Sequence, residues 1–147
     1  MDNKPYSLKQ MKVISEIGHP KLQKKVLGHL TSKSSKARNE YAKFTTNKKH
    51  LDKLLHDSSP NVRCSVAQHQ CISHLNHLVY DPVAKVRQTV AKYGAPSHSL
   101  QLLKDKKVEV RNEARKNLDY YRGNDDAKQE WLDAPEDEVQ SYQEWPD

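Results

Sequence analysis

SPNVRCSVA at residues 59–67, VAKVRQTVA at 83–91 and KVEVRNEAR at 107–115 are one phrase written three times, each with an aspartate two residues ahead of it. Those aspartates, Asp57, Asp81 and Asp105, stand 24 residues apart, as do Arg63, Arg87 and Arg111. Self-similarity at a period of this size signals stacked supersecondary units, none able to bury its apolar face alone. Within the phrase the apolar spacing is helical: Val62, Val66 and Ala67 recur as Val86, Val90 and Ala91, which share one helix face. Pro60 and Pro82 precede two of these helices, where proline is tolerated.

A shorter apolar element follows each phrase, at residues 74–79 and 99–103, with Leu51, Leu54 and Leu55 in the same place upstream. The phrase also extends backwards in weaker form. Residues 37–42, ARNEYA, align with VRCSVA at 62–67 across 25 residues, one more than the period. Residues 13–17 and 22–30 read as an atypical first unit acting as a cap. After Leu118, Gly123-Asn124-Asp125-Asp126 reads as a stop. The expected organisation is a helical repeat domain over 1–122, with four to five units, and an acidic C-terminal tail over 123–147.

The Asp/Arg phrases and their V-R-x-x-V-A cores resemble the HEAT-like family of α-helical repeats. The 24-residue interval is most similar to the leucine-rich repeat variant. That resemblance implies an all-α, right-handed superhelical solenoid whose units each pair an α-helix with a shorter, often 3₁₀, helix. Some members carry an iron–sulfur cluster on a cysteine-rich N-terminal segment. This chain has no cysteine before Cys64, so the cluster is not carried over.

Charge is distributed unevenly along the 147 residues. Residues 1–122 carry 24 Lys and Arg against 10 Asp and Glu, while 123–147 carry Lys128 against nine acidic groups. A basic body suits an acidic macromolecule, either nucleic acid (DNA or RNA) or an acidic protein. No apolar run approaches a membrane span and no signal-peptide pattern opens the chain, so no membrane partner is expected. Two cysteines without an export signal suggest a cytoplasmic location and free thiols.

Arg38, Arg63, Arg87 and Arg111 form a row that could grip phosphates. The alternative is a structural ladder in which Asp57, Arg63, Asp81, Arg87, Asp105 and Arg111 pair within or between units, and a guanidinium fork suits that role better. Counted from each arginine, positions −1, +3 and +4 are apolar, so +1, +2 and +5 are expected to face outward. The +5 series reads Lys43, Gln68, Lys92 and Lys116; the +1 series reads Asn39, Cys64, Gln88 and Asn112. Lysines beside amides suit a phosphate backbone, with Lys36 and Lys85 as flanking contacts. A merely solvated helix face is the competing reading.

Cys64, His69, Cys71, His74 and His77 crowd together, but no C-x2-C pair exists and no metal or cofactor is expected. His74 and His98 share a repeat position, with His50 equivalent after the one-residue slip, as if starting each short helix. No glycine-rich phosphate loop or nucleophile motif appears, so no enzyme activity is expected. In the tail, Trp131 and Trp145 among carboxylates suggest anchors for an intramolecular contact with the basic body. The expectation is a non-catalytic module that binds nucleic acid. The alternative is a protein-interaction adaptor or inhibitor using Tyr93, Tyr120, Tyr121 and the tryptophans.

Overall fold

In a computed structural model, which describes residues 4–123, the repeats become helices. In chain order these are α1 (Leu8–Ile17), α2 (Pro20–Gly28), a 3₁₀ turn (His29–Thr31), α3 (Ser35–Phe44), α4 (Lys48–Leu54), α5 (Pro60–Ala67), α6 (Ile72–Leu78), α7 (Ala84–Tyr93), α8 (Pro96–Leu102) and α9 (Val108–Arg122). No strand occurs among the described residues, and none of their helices is long and apolar enough to cross a membrane. The chain divides between Val66 and Ala67 into two compact units.

Helix starts follow from local chemistry. Ser7 caps α1 in a reciprocal box: its hydroxyl accepts from Gln10 N–H, and the Gln10 side chain accepts from Ser7 N–H at 2.8 Å. Gly18 ends α1 in the left-handed conformation, with φ 74°, that an L side chain rarely adopts. Ser34 and Asn47 cap α3 and α4, and Pro20, Pro60 and Pro96 occupy first helical positions. The second helices α4, α6 and α8 are α-helical over seven residues each. The 3₁₀ geometry expected of them is confined to the closing turn. There Asp57, Asp81 and Asp105 donate their N–H to carbonyls three residues back, on Leu54, Leu78 and Leu102.

That closing turn delivers each aspartate to the same set of bonds. Oδ1 of Asp57, Asp81 and Asp105 accepts the backbone N–H two residues on, at 2.9 Å in all three. Each aspartate's own carbonyl accepts Nη1 of the arginine six residues later: 2.7 Å for Arg63, 2.8 Å for Arg87 and 2.6 Å for Arg111. Arg38 does the same with the carbonyl of Ser32, whose hydroxyl accepts from Ser34 N–H. Ser32 therefore stands in for aspartate at the start of the weaker phrase.

The other edge of the guanidinium reaches forward by one unit. Within the first compact unit, Arg38 Nε and Nη2 donate to Asp57 Oδ2 and Oδ1 at 2.8 and 3.2 Å. Within the second, Arg87 does so to Asp105 at 2.7 and 3.2 Å. Arg87 is only 7% exposed, so the fork is bonded on both edges away from water. The Arg111 guanidinium bonds the Asp105 carbonyl and has no carboxylate partner among the described residues.

In the second unit the core comprises Leu75 and Leu78 of α6, Val86, Val90 and Ala91 of α7, Leu102 of α8, and Val110, Ala114 and Leu118 of α9. Buried histidine ties this core to the chain. His98 Nδ1 accepts Ala95 N–H at 3.0 Å, which leaves the proton on Nε2 to bond Asn76 Oδ1 at 2.7 Å. So His98 does begin its short helix, but the repeat position as a whole does not: His50 bonds the Tyr41 hydroxyl while Asn47 caps α4, and α6, which carries His74, has no side-chain cap bond. Burial lowers its pKa from 6.5 to about 4. A proton added at Nδ1 would also face the Ala95 N–H.

Two stability measurements follow. Urea unfolding of Arg87→Ala is expected to show a loss of about 3 kcal/mol or more, because the Asp105 carboxylate loses its partner in a site closed to water. Arg111→Ala, losing one bond to a carbonyl, is expected to cost about 1–2 kcal/mol. Equal losses would remove the distinction between the two arginines. For His98 the unfolded chain binds the proton first, so its contribution is complete above 6.5 and drains away as pH falls toward 4. Between pH 7 and 4 the wild type is expected to lose roughly 3 kcal/mol more than His98→Asn, which keeps the Nδ1-like acceptor without titrating.

Candidate nucleic-acid interface

In the second unit, one face of α9 carries Glu113, Lys116, Asn117, Tyr120 and Tyr121, spaced at i, i+3, i+4, i+7 and i+8. With Lys92 from α7 and Gln70 from the turn before α6, these residues line a cleft of about 290 Å³. Lys92 and Lys116 hold the same position in successive phrases, so the period itself brings two ammonium groups to one cleft. The Lys92 ammonium sits 5.4 Å from the Tyr93 ring centroid and has no carboxylate partner among the described residues. The Lys116 ammonium lies 3.8 Å from Glu113 Oε1, a surface pair that screens it in part.

Tyr120 is 56% exposed, and its ring meets Tyr121 edge-on at 5.4 Å between centroids. Tyr121 is buried and its hydroxyl donates to the Gly94 carbonyl at 3.4 Å. Asn117 Nδ2 donates to the same carbonyl at 2.9 Å and to Ser99 Oγ at 2.8 Å. The Gly94 carbonyl thus anchors the cleft wall to the end of α7. Gln70 holds φ at 60°, uncommon for a residue with a Cβ, and its side-chain amide donates to the Tyr93 carbonyl at 3.0 Å. The amides of Asn117 and Gln70 are occupied by backbone and serine. What the cleft presents to a ligand is the Lys92 ammonium, the Lys116 ammonium beside Glu113, and the Tyr120 ring.

The other expected contacts are dispersed. Gln68, Lys85 and Asn112 are exposed in the second unit but do not line the cleft, and Gln88 is half-buried. Lys43 and Lys36 belong to the first unit, where both are exposed and Lys43 lies 3.6 Å from Glu40. The +1 row facing outward is a correction. Cys64 is buried, and Asn39 and Gln88 are half-buried. The reason is the neighbouring helix: Asn39 Oδ1 accepts the hydroxyl of buried Ser65 on α5, so +1 meets a helix on its flank and not water. Trp131, Trp145 and the tail contact lie outside the described residues. Among those residues, no group of three or more His, Cys, Asp or Glu is placed to hold a metal ion.

Gln70 and Asn117 were not singled out from sequence, although the α9 spacing that carries Asn117 was readable. Gln70 comes from the turn before α6, and no periodicity marks it. None of the family models, curated proteins and solved structures compared with the chain matches it.

Gly94 sets the geometry by having no side chain. A Cβ there would stand 2.5 Å from the Val90 carbonyl oxygen and 3.0 Å from His98 Cβ. Gly94→Ala is therefore expected to destabilise by roughly 1–3 kcal/mol, read by thermal or urea unfolding. A neutral result would show that the α7–α8 junction is loosely held.

Proposed function

We propose that the chain is a helical-repeat module of the HEAT-like kind, its repeats wound in a right-handed superhelix, that binds nucleic acid without catalysing a reaction. The period of the Asp/Arg phrases supports the repeat reading. The convergence of Lys92, Lys116 and the exposed Tyr120 ring on one cleft carries the nucleic-acid reading. Ammonium groups neutralise backbone phosphates and release counterions, while an exposed aromatic face stacks on any unpaired base. Such a site favours single strands over duplex, whose bases are already stacked. The excess of basic groups over residues 1–122 adds long-range attraction of the same sign.

The test is fluorescence anisotropy with a labelled single-stranded oligonucleotide and with duplex. Binding is expected to weaken at least about tenfold between 50 and 200 mM salt. Lys92→Ala should lower the salt slope by about 0.7, the share of one phosphate contact on a single strand. Tyr120→Ala should weaken single-strand binding roughly fivefold to a hundredfold and leave duplex binding nearly unchanged. A dissociation constant flat in salt, or unmoved by both substitutions, contradicts the proposal.

A further inference from the structure

The first unit carries a surface of different chemistry. The apolar arc of α1 is wider than its packing covers: Met11 and Ile14 are buried, while Val13 and Ile17 on the adjoining face are 45% and 66% exposed. Beside them Tyr6, Lys9, Gln10, Val13, Ile14 and Leu22 line a trough of about 450 Å³. Leu27 of α2 is 49% exposed next to a second hollow, which Ile14 also lines. Scattered exposed apolar residues need no explanation, but here Val13 lines an apolar trough, with Ile17 one turn further along the same helix, and such a patch marks a docking place.

The rim is cationic. Lys9 lines the trough, and the Lys25 ammonium lies 5.2 Å from the ring centroid of Tyr6 at its edge. Residues 4–33 carry seven lysines against a single acidic residue, Glu16. Lys9, Lys12, Lys21 and Lys24 have no carboxylate partner among the described residues. Nothing about the nucleic-acid cleft accounts for this combination, since phosphates need no apolar trough.

We infer that the α1–α2 trough is a docking site for an acidic amphipathic helix of a partner protein. Its apolar side chains, recurring at i, i+3 or i+4, and i+7, fill the hollows beside Val13, Ile14 and Leu22, and its carboxylates meet Lys9 and Lys25. The trough is shallow and lined mainly by apolar groups between Lys9 and Tyr6, which suits the ridge of side chains along one face of a helix. Charge complementarity sets approach and orientation, and the buried apolar anchors set the residence time.

The experiment is fluorescence polarisation of the full chain with a labelled, helix-forming peptide bearing leucines at that spacing and glutamates on its flanks. Polyglutamate and phosphatidylserine vesicles serve as the other probes. Saturable peptide binding is expected, weakened about tenfold or more by Val13→Ser with Ile17→Ser and by Lys9→Glu with Lys25→Glu. Both pairs are solvent-facing, and circular dichroism checks that each variant stays helical. Lys92→Ala should leave peptide binding unchanged, which separates this surface from the nucleic-acid cleft. Polyglutamate binding as tightly as the peptide would reduce the site to charge alone and overturn the inference. So would vesicle binding without peptide binding, or peptide binding indifferent to the Val13/Ile17 pair.

Discussion

A guanidinium clasped between a backbone carbonyl and the carboxylate of the following repeat, seen at Arg38 and at Arg87, is the bond on which the rest of the arrangement depends. Burying an arginine and an aspartate is unfavourable unless nearly every donor and acceptor is met. Arg87 meets that condition on both edges, through the Asp81 carbonyl and the Asp105 carboxylate. Asp105 meets it as well. Burial opposes ionisation of its carboxyl, yet the Arg87 hydrogen bonds, the Lys107 N–H and the charges of Arg87 and Lys106 outweigh that and hold its pKa below the ordinary value. Sign follows directly: the aspartate's contribution is present above its unfolded pKa and fades only in acid. The same side chain also turns the backbone toward the next helix, so the turn and the inter-repeat bond share one carboxylate.

The consequences reach the cleft through α7 and α8. Val86, Val90 and Ala91 share a face with the Arg87 clasp, and α7 ends at Gly94, whose bare backbone lets His98 approach. His98 fixes the start of α8, and Ser99 and the Gly94 carbonyl together hold Asn117 of α9. Lys92 and Lys116 face one cleft because these contacts set the separation of α7 and α9. A polar network with its members bonded specifies a single arrangement more sharply than apolar packing does.

Much of this was legible in the sequence because the Asp/Arg phrase states both partners and their spacing. The helical reading, the capping role of His98 and the meeting of Lys92 with Lys116 follow from it; the equivalent His50 and His74 do not cap, since Asn47 caps α4 and α6 has no side-chain cap bond. Which edge of each arginine meets which oxygen was not legible, since both the same and the next repeat offer one. Ser32 escaped notice because a hydroxyl replaces the carboxylate and the period slips by one residue. The outward-facing +1 row failed at Cys64 because a helix in a repeat has flanking helices as well as an inner and an outer side. The apolar width of α1 is invisible to a period count, because periodicity marks where apolar residues recur and not how many of them a neighbour covers.

The most direct measurement is a double-mutant cycle on the clasp, pairing Arg87→Met, which keeps the aliphatic stem, with Asp105→Asn, which keeps the turn acceptor for Lys107. Denaturant unfolding of the four proteins should give a favourable coupling of about 1–3 kcal/mol. Additive losses, with coupling near zero, would mean that the clasp only accompanies the packing of α7 and α9 and does not hold it.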